Sequence, residues 1–153
     1  MPTTDILGID SIRLDDTSPS KKRVLEQAAR LLEYHDTELS ERIFERLLER
    51  ERLGSTGLSG GMALPHARMP DIPRARGAFL RLASPVDFDS FDGHPVDMVF
   101  ALLVPEEATE THLQLLAKLA RTFNDPTLRT QLRHASPAQA LDLLTRCLAH
   151  DAA

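Results

Sequence analysis

The residues with the clearest chemical potential lie in one stretch, Gly54-Ser55-Thr56-Gly57-Leu58-Ser59-Gly60-Gly61-Met62-Ala63-Leu64-Pro65-His66-Ala67-Arg68. The chain has only seven glycines, and four of them fall between Gly54 and Gly61. His66 follows an apolar triplet and a proline, which places it at the end of a short extended segment with restricted backbone freedom. A neutral imidazole is nucleophilic near physiological pH, because one ring nitrogen can be oriented while the other reacts. Glycine N–H groups and the Ser/Thr hydroxyls suit a transferring phosphoryl group, whose charge is spread over three oxygens. The residues alone leave His66 open between a phosphoryl acceptor and a turn histidine without a role.

Other chemistries fail on context. Gly57-Leu58-Ser59-Gly60-Gly61 fits the G-x-S-x-G elbow of hydrolases, but that elbow needs a strand before the serine and a helix after it. Here a helical pattern precedes, and Pro65 soon blocks a helix. A Walker loop needs a lysine followed by Ser/Thr, and none is present. A dinucleotide fingerprint opens a helix after a strand, the reverse of this order. His66, His94 and His112 are not spaced as a familiar metal-ligand set, so no metal and no cofactor is expected.

The elements that must position this segment are legible from periodicity. Val24, Leu25, Ala28, Ala29, Leu31 and Leu32 recur at helical spacing after Ser20, and Leu39, Ile43 and Leu47 form a second i, i+4, i+8 stripe. That second helix should stop near Leu53-Gly54, with glycine in a left-handed conformation. Gly77 to Leu82 and Val96 to Val104 read as strands, the latter apolar on both faces as a covered central strand would be. Three helices follow. The first is capped by Thr109 with a stripe of Leu113, Leu116, Ala117, Ala120 and Phe123. The second opens at Asp125-Pro126 with Leu128 and Leu132 inside. The third opens at the capping box Ser136-Pro137-Ala138-Gln139, leading to Leu141, Leu144 and Leu148. The order predicts one α/β domain, a small mixed β-sheet covered by helices, over residues 19–149. Residues 1–18 form a polar N-terminal segment with one short strand or turn from Ile9 to Leu14.

The chain has 153 residues, 18 basic and 23 acidic side chains and a formal charge of −5, with 42% hydrophobic residues. That is one domain with a packed core, and it excludes a general nucleic-acid affinity, which demands a basic face. The single cysteine, Cys147, forms no intramolecular disulfide and reads as a small semi-buried residue. The longest apolar run, Met98 to Val104, is far short of the roughly 20 residues that span a bilayer, and the start lacks a signal-peptide pattern. A cytoplasmic location without membrane insertion is expected.

Gly54-Ser55-Thr56-Gly57, Met62-Ala63-Leu64-Pro65-His66, Pro95-Val96-Asp97, Phe100-Ala101-Leu102-Leu103-Val104-Pro105 and Thr111-His112-Leu113 together resemble the enzyme IIA domain of the fructose/mannitol class of the bacterial phosphotransferase system. The likeness is closest to its nitrogen-regulatory branch and runs from about Ser20 to Leu144. It implies that His66 accepts a phosphoryl group from a phosphorylated HPr-like (NPr) carrier. It implies further that Arg50 stabilises that group, that His112 is a second histidine beside the first, and that Ser55 and Thr56 supply hydroxyls close by. Without the resemblance, Arg50 reads as a helix-end cation and His112 as a surface histidine. Ala67 stands where the family often has glycine. Regulated partners such as transporters or sensor kinases are implied, and the end of the chain at Ala153 favours this branch over a sugar-specific enzyme IIA serving a IIB domain. The donor is expected to dock on an apolar patch including Met62, Leu64 and Met69. His35, His94, His134 and His150 are assigned no role.

Overall fold

The computed structural model describes residues 6–107 and 109–149. After a 3-10 turn at Ile9–Ser11 the elements run β1 (Ile12–Asp16), α1 (Lys21–Leu32), α2 (Thr37–Leu53), β2 (Met62–Ala63), β3 (His66–Met69), β4 (Arg76–Val86), β5 (Val96–Pro105), α3 (Thr109–Phe123), α4 (Pro126–His134) and α5 (Pro137–Ala149). The mixed sheet has β5 at its centre. On one side β4 pairs with β5 antiparallel and β1 pairs with β4 parallel; on the other, β2 and β3 both run parallel to β5. The predicted α/β class with helices over a small mixed sheet is what the chain adopts.

The alternation along β5 builds two cores. Val99, Ala101 and Leu103 face a cluster with Val24, Leu25, Ile43 and Leu47 of α1 and α2. Met98, Phe100, Leu102 and Val104 face a second cluster with Leu119, Phe123, Leu132 and Leu144 of α3 to α5. A strand covered on both faces needs no polar side, which explains the unbroken apolar run. In the second core Phe100 and Phe123 lie 5.4 Å apart between ring centroids. Ile6 and Leu7 are buried in the same cluster, so the described part of the N-terminal segment packs against the body of the domain.

Helix starts follow the capping chemistry in the sequence. Ser20 Oγ accepts from Arg23 N, Asp36 accepts from Leu39 N, and Asp125 accepts from Thr127 N with Pro126 in the first turn. Ser136 and Gln139 exchange both bonds of a capping box, at 2.9 and 3.2 Å. The expected Thr109 cap lies outside the described side chains. No helix among the described residues is long and apolar enough to cross a membrane.

Two local expectations are corrected. Gly54 does end α2, but in extended backbone (φ 164°, ψ 147°), not in the left-handed region; Arg50 Nη1 donates to its carbonyl at 2.9 Å and closes the helix end instead. The buried stripe of α3 is Leu115, Leu119 and Phe123, with Leu116 and Ala120 beside it, while Leu113 is 54% exposed. Both stripes have helical spacing, and the docking of α3 on β5 selects one.

Candidate functional site

The cavity around His66 forms where the two helical layers meet at the sheet edge. β3 pairs with β5, with His66 opposite Leu102, and α2 packs along it. Ala67 and Met69 turn into the core beneath α1 and α2, so alternation sends His66 and Arg68 to the other side. The resulting cavity, about 440 Å³, is walled by Arg46, Glu49, Arg50 and Leu53 of α2, by His66 and Arg68 of β3, by Glu106 after β5, and by His112, Leu113 and Leu116 of α3. The structure therefore brings together His66, Arg50 and His112 from three separate elements.

His66 is half-buried, and its Nδ1 lies 2.9 Å from the carbonyl of Leu64. A carbonyl only accepts, so Nδ1 carries the proton and Nε2 keeps its lone pair. Burial of the ring pushes its pKa below the ordinary histidine value. Arg50 and Arg68 push the same way, while the Leu64 bond and Glu51 oppose them. The ring is thus neutral and nucleophilic at neutral pH. Arg50 spends one N–H on the Gly54 carbonyl, and no carboxylate pairs with it among the described residues. His112 Nδ1 is buried without a hydrogen-bond partner among the described residues, in a cavity with two arginines besides Arg50 on its wall. A cation-rimmed pocket with unengaged nitrogens suits an anion of tetrahedral oxygens.

Ser55 and Thr56 do not line this cavity. Ser55 Oγ donates to Phe88 O and accepts from Gly57 N at 3.0 Å. Thr56 is buried, its hydroxyl donating to Glu51 Oε1 at 2.6 Å and its N–H to Glu51 Oε2 at 2.9 Å. Several of the N–H groups expected to be free for a phosphoryl group are engaged as well: Leu58 N reaches Met62 O at 2.6 Å and Gly60 N reaches Asp92 at 3.1 Å. Gly57, Gly60 and Gly61 serve close packing, while a Cβ on Gly54 would meet open space. A Cβ on Gly57 would stand 3.1 Å from the Ser90 backbone. One on Gly61 (φ +82°) would meet the Arg133–Asp97 ion pair at 2.8 and 2.9 Å. Asp97, from the Pro95-Val96-Asp97 motif, accepts a two-pronged bond from Arg133, which also holds Gly60 O.

The apolar docking patch is also corrected. Met62, Leu64 and Met69 are buried, because β2 and β3, both paired in parallel with β5, carry this segment between the two helical layers. The exposed apolar side chains beside His66 are Leu53, 85% exposed, and Leu113. Cys147 is half-buried, and burial raises its thiol pKa. His35, His94 and His134 are exposed, and His150 lies outside the described residues. Among the described residues no group of three or more His, Cys, Asp or Glu side chains could hold a metal ion.

Glu51 is the site-related residue the sequence reading passed over. In Arg50-Glu51-Arg52 it looks like helix surface. Yet Ile43, Leu47 and Glu51 continue one i, i+4, i+8 stripe, and a charge at a core-facing position was the available signal.

Residues 5–147 match the family model described as phosphoenolpyruvate-dependent sugar phosphotransferase system, EIIA 2. The chain is 50% identical over 123 residues to a nitrogen regulatory protein of Pseudomonas aeruginosa, covering 80% of each chain. A solved structure of nitrogen regulatory protein IIA-Ntr from Neisseria meningitidis is 43% identical with a TM-score of 0.85, covering 95% of this chain and 97% of that one. The IIA mannitol protein of Escherichia coli, at 22% identity, shares the fold with a TM-score of 0.74 over 90% of this chain and 98% of its own.

Proposed function

Given that this chain belongs to the EIIA 2 family of the phosphoenolpyruvate-dependent sugar phosphotransferase system, we propose that it is a phosphohistidine carrier acting as a regulator, with His66 Nε2 as the phosphoryl acceptor. The observation that carries the reading is the bond between His66 Nδ1 and the Leu64 carbonyl, which commits one ring nitrogen and leaves the other nucleophilic. The donor is a phosphorylated histidine on an HPr-like (NPr) carrier. As the bond from Nε2 to phosphorus forms, the donor's P–N bond breaks and its electron pair returns to the donor ring. One phosphoimidazole replaces another, so the transfer is reversible, and the protein contributes mainly position and charge.

Arg50 and His112 are the proposed partners of the phosphoryl oxygens, since both wall the cavity beside His66. Ser55 and Thr56, with hydroxyls already donated, would act by holding the loop that leads to His66. The donor would dock over Leu53 and Leu113. Phosphorylation adds about −1.5 to −2 charges at neutral pH to a chain already at −5, which suits a switch in affinity for transporters or sensor kinases. The names of the relatives support the regulatory branch: identity is 50% to a nitrogen regulatory protein against 31% to a fructose-specific EIIABC component of Bacillus subtilis.

Incubation with enzyme I, an HPr-type carrier and labelled phosphoenolpyruvate tests the assignment. An acid-labile label on the wild type that disappears in His66→Ala is the expected result. A label that persists in the variant, or never forms on the wild type, would overturn it.

A further inference from the structure

A continuous hydrogen-bond path connects a buried carboxylate to the proposed acceptor. Glu51 is 5% exposed and takes three donors: Thr56 N at 2.9 Å, Thr56 Oγ1 at 2.6 Å and Lys21 Nζ at 3.1 Å. The Thr56 carbonyl then accepts Leu64 N at 3.0 Å. The Leu64 carbonyl accepts His66 Nδ1 at 2.9 Å. Helix α2, the glycine loop and the segment between β2 and β3 are thereby tied in series, and the last member of the series is the imidazole.

We propose that Glu51 is a positioning residue for phosphoryl transfer: through Thr56 and Leu64 it fixes the orientation and the Nδ1–H tautomer of His66. The inference rests on His66 being the acceptor. The physical reason is that Leu64 lies in the gap between β2 and β3, with its N–H bonded to Thr56 O and not to β5, so the carbonyl that holds the ring is placed in part by how firmly Thr56 is held. Between Leu53 and Met62 the backbone forms no helix and no strand beyond one isolated antiparallel bridge of Gly57 with Ala63, so its order comes from individual bonds. Glu51 supplies two of these to one residue. An ionised acceptor makes both strong, and Lys21 balances the charge in the interior. A buried carboxylate at the end of an otherwise apolar stripe is costly, and the three donors that converge on it offset that cost.

A nucleophile misplaced by about 1 Å loses on the order of a hundredfold in rate. Glu51→Ala is therefore expected to slow phosphorylation of His66 by an HPr-type carrier on the order of tenfold to a hundredfold, with far-UV circular dichroism unchanged. The discriminating readout is the imidazole nitrogen spectrum of His66 in the unphosphorylated protein. Wild type should give one set of signals for the Nδ1–H tautomer, and Glu51→Ala a mixture with Nε2–H. Glu51→Gln retains an acceptor for Thr56 and should restore the single tautomer and most of the rate. Should Glu51→Ala fail to fold, Glu51→Asp takes its place. One methylene shorter, it cannot reach Thr56 and Lys21 together and should also give mixed tautomers. A single Nδ1–H tautomer with the wild-type rate in Glu51→Ala or Glu51→Asp overturns the proposal, as does a Glu51→Gln variant with mixed tautomers. The tautomer measurement needs no phosphoryl donor. Absence of any label on the wild type would therefore refute His66 as acceptor without touching the positioning result.

Discussion

Between Gly54 and Gly61 the protein engages most of its own polar groups, whereas around His66 it leaves nitrogens unengaged. In the loop the Ser55 and Thr56 hydroxyls and the N–H groups of Thr56, Gly57, Leu58 and Gly60 all have protein partners. In the cavity His112 Nδ1 is buried without one among the described residues, and His66 Nε2 is freed by the commitment of Nδ1 to Leu64. The two regions are adjacent in sequence, and the glycine-rich one looks more like a phosphate cradle. Saturated donors build a scaffold, and unsaturated ones are what a ligand can use. Damage to the loop should therefore register in stability, and damage to the cavity in transfer.

The most severe break is His66→Ala, which should abolish acid-labile labelling while the far-UV spectrum stays native. Next comes Arg50→Ala, which should lower the rate of phosphorylation roughly tenfold to a hundredfold by removing a charge-assisted partner of the phosphoryl oxygens. Arg50→Lys should recover part of that rate, since it restores the charge but not the fork. On the loop side, Gly61→Ala should cost about 1–3 kcal/mol in denaturant unfolding. It forces a side chain into a positive φ and against the Arg133–Asp97 pair. The folded fraction should still accept phosphate at close to the wild-type rate. A Gly61→Ala protein of full stability, or one that folds normally but transfers poorly, would break the division between the two regions.

The smallest effect is in pH. The folded pKa of His66 is depressed by burial below an unfolded value of about 6.5. Above that unfolded value the ring is neutral in both states and stability is unaffected. As pH falls below it, the unfolded chain binds the proton first, and stability declines until the lower folded pKa is passed. Denaturation of wild type and His66→Gln across about pH 5 to 8 should thus show the wild type losing more on the acidic side. Phosphoryl acceptance should persist below the pH at which a solvent-exposed histidine would be protonated.

Much of the architecture was legible because it is decided locally. Ser20, Asp125-Pro126 and Ser136 to Gln139 announced helix starts by satisfying N–H groups within a few residues. The unbroken run in β5 announced a strand with helices on both faces. His66, which lines the cavity, stood out through its Leu64-Pro65 context and the motifs around it. The phase of α3 was not, because Leu113, Leu115, Leu116 and Leu119 permit two overlapping apolar stripes. Local spacing is the same for both, and contact with β5 decides between them. Met62, Leu64 and Met69 looked like an exposed docking patch for a similar reason. A short extended segment has no periodicity long enough to reveal whether one or both of its faces will be covered.

By itself, then, the sequence did not show that the chain runs on past Pro65 as a strand beginning at His66; it determined where the helices and the two long strands lie and that the central strand is buried on both faces. Those properties depend on groups a few bonds apart. Tertiary structure decided that Arg50 and His112, sixteen residues before His66 and forty-six after it, share its cavity. It also decided that the glycine loop is packed shut and that Glu51 is buried as the anchor of Thr56. Parallel pairing of β3 with β5 brings the end of α2 and the start of α3 together over one strand, and no local rule contains that distance.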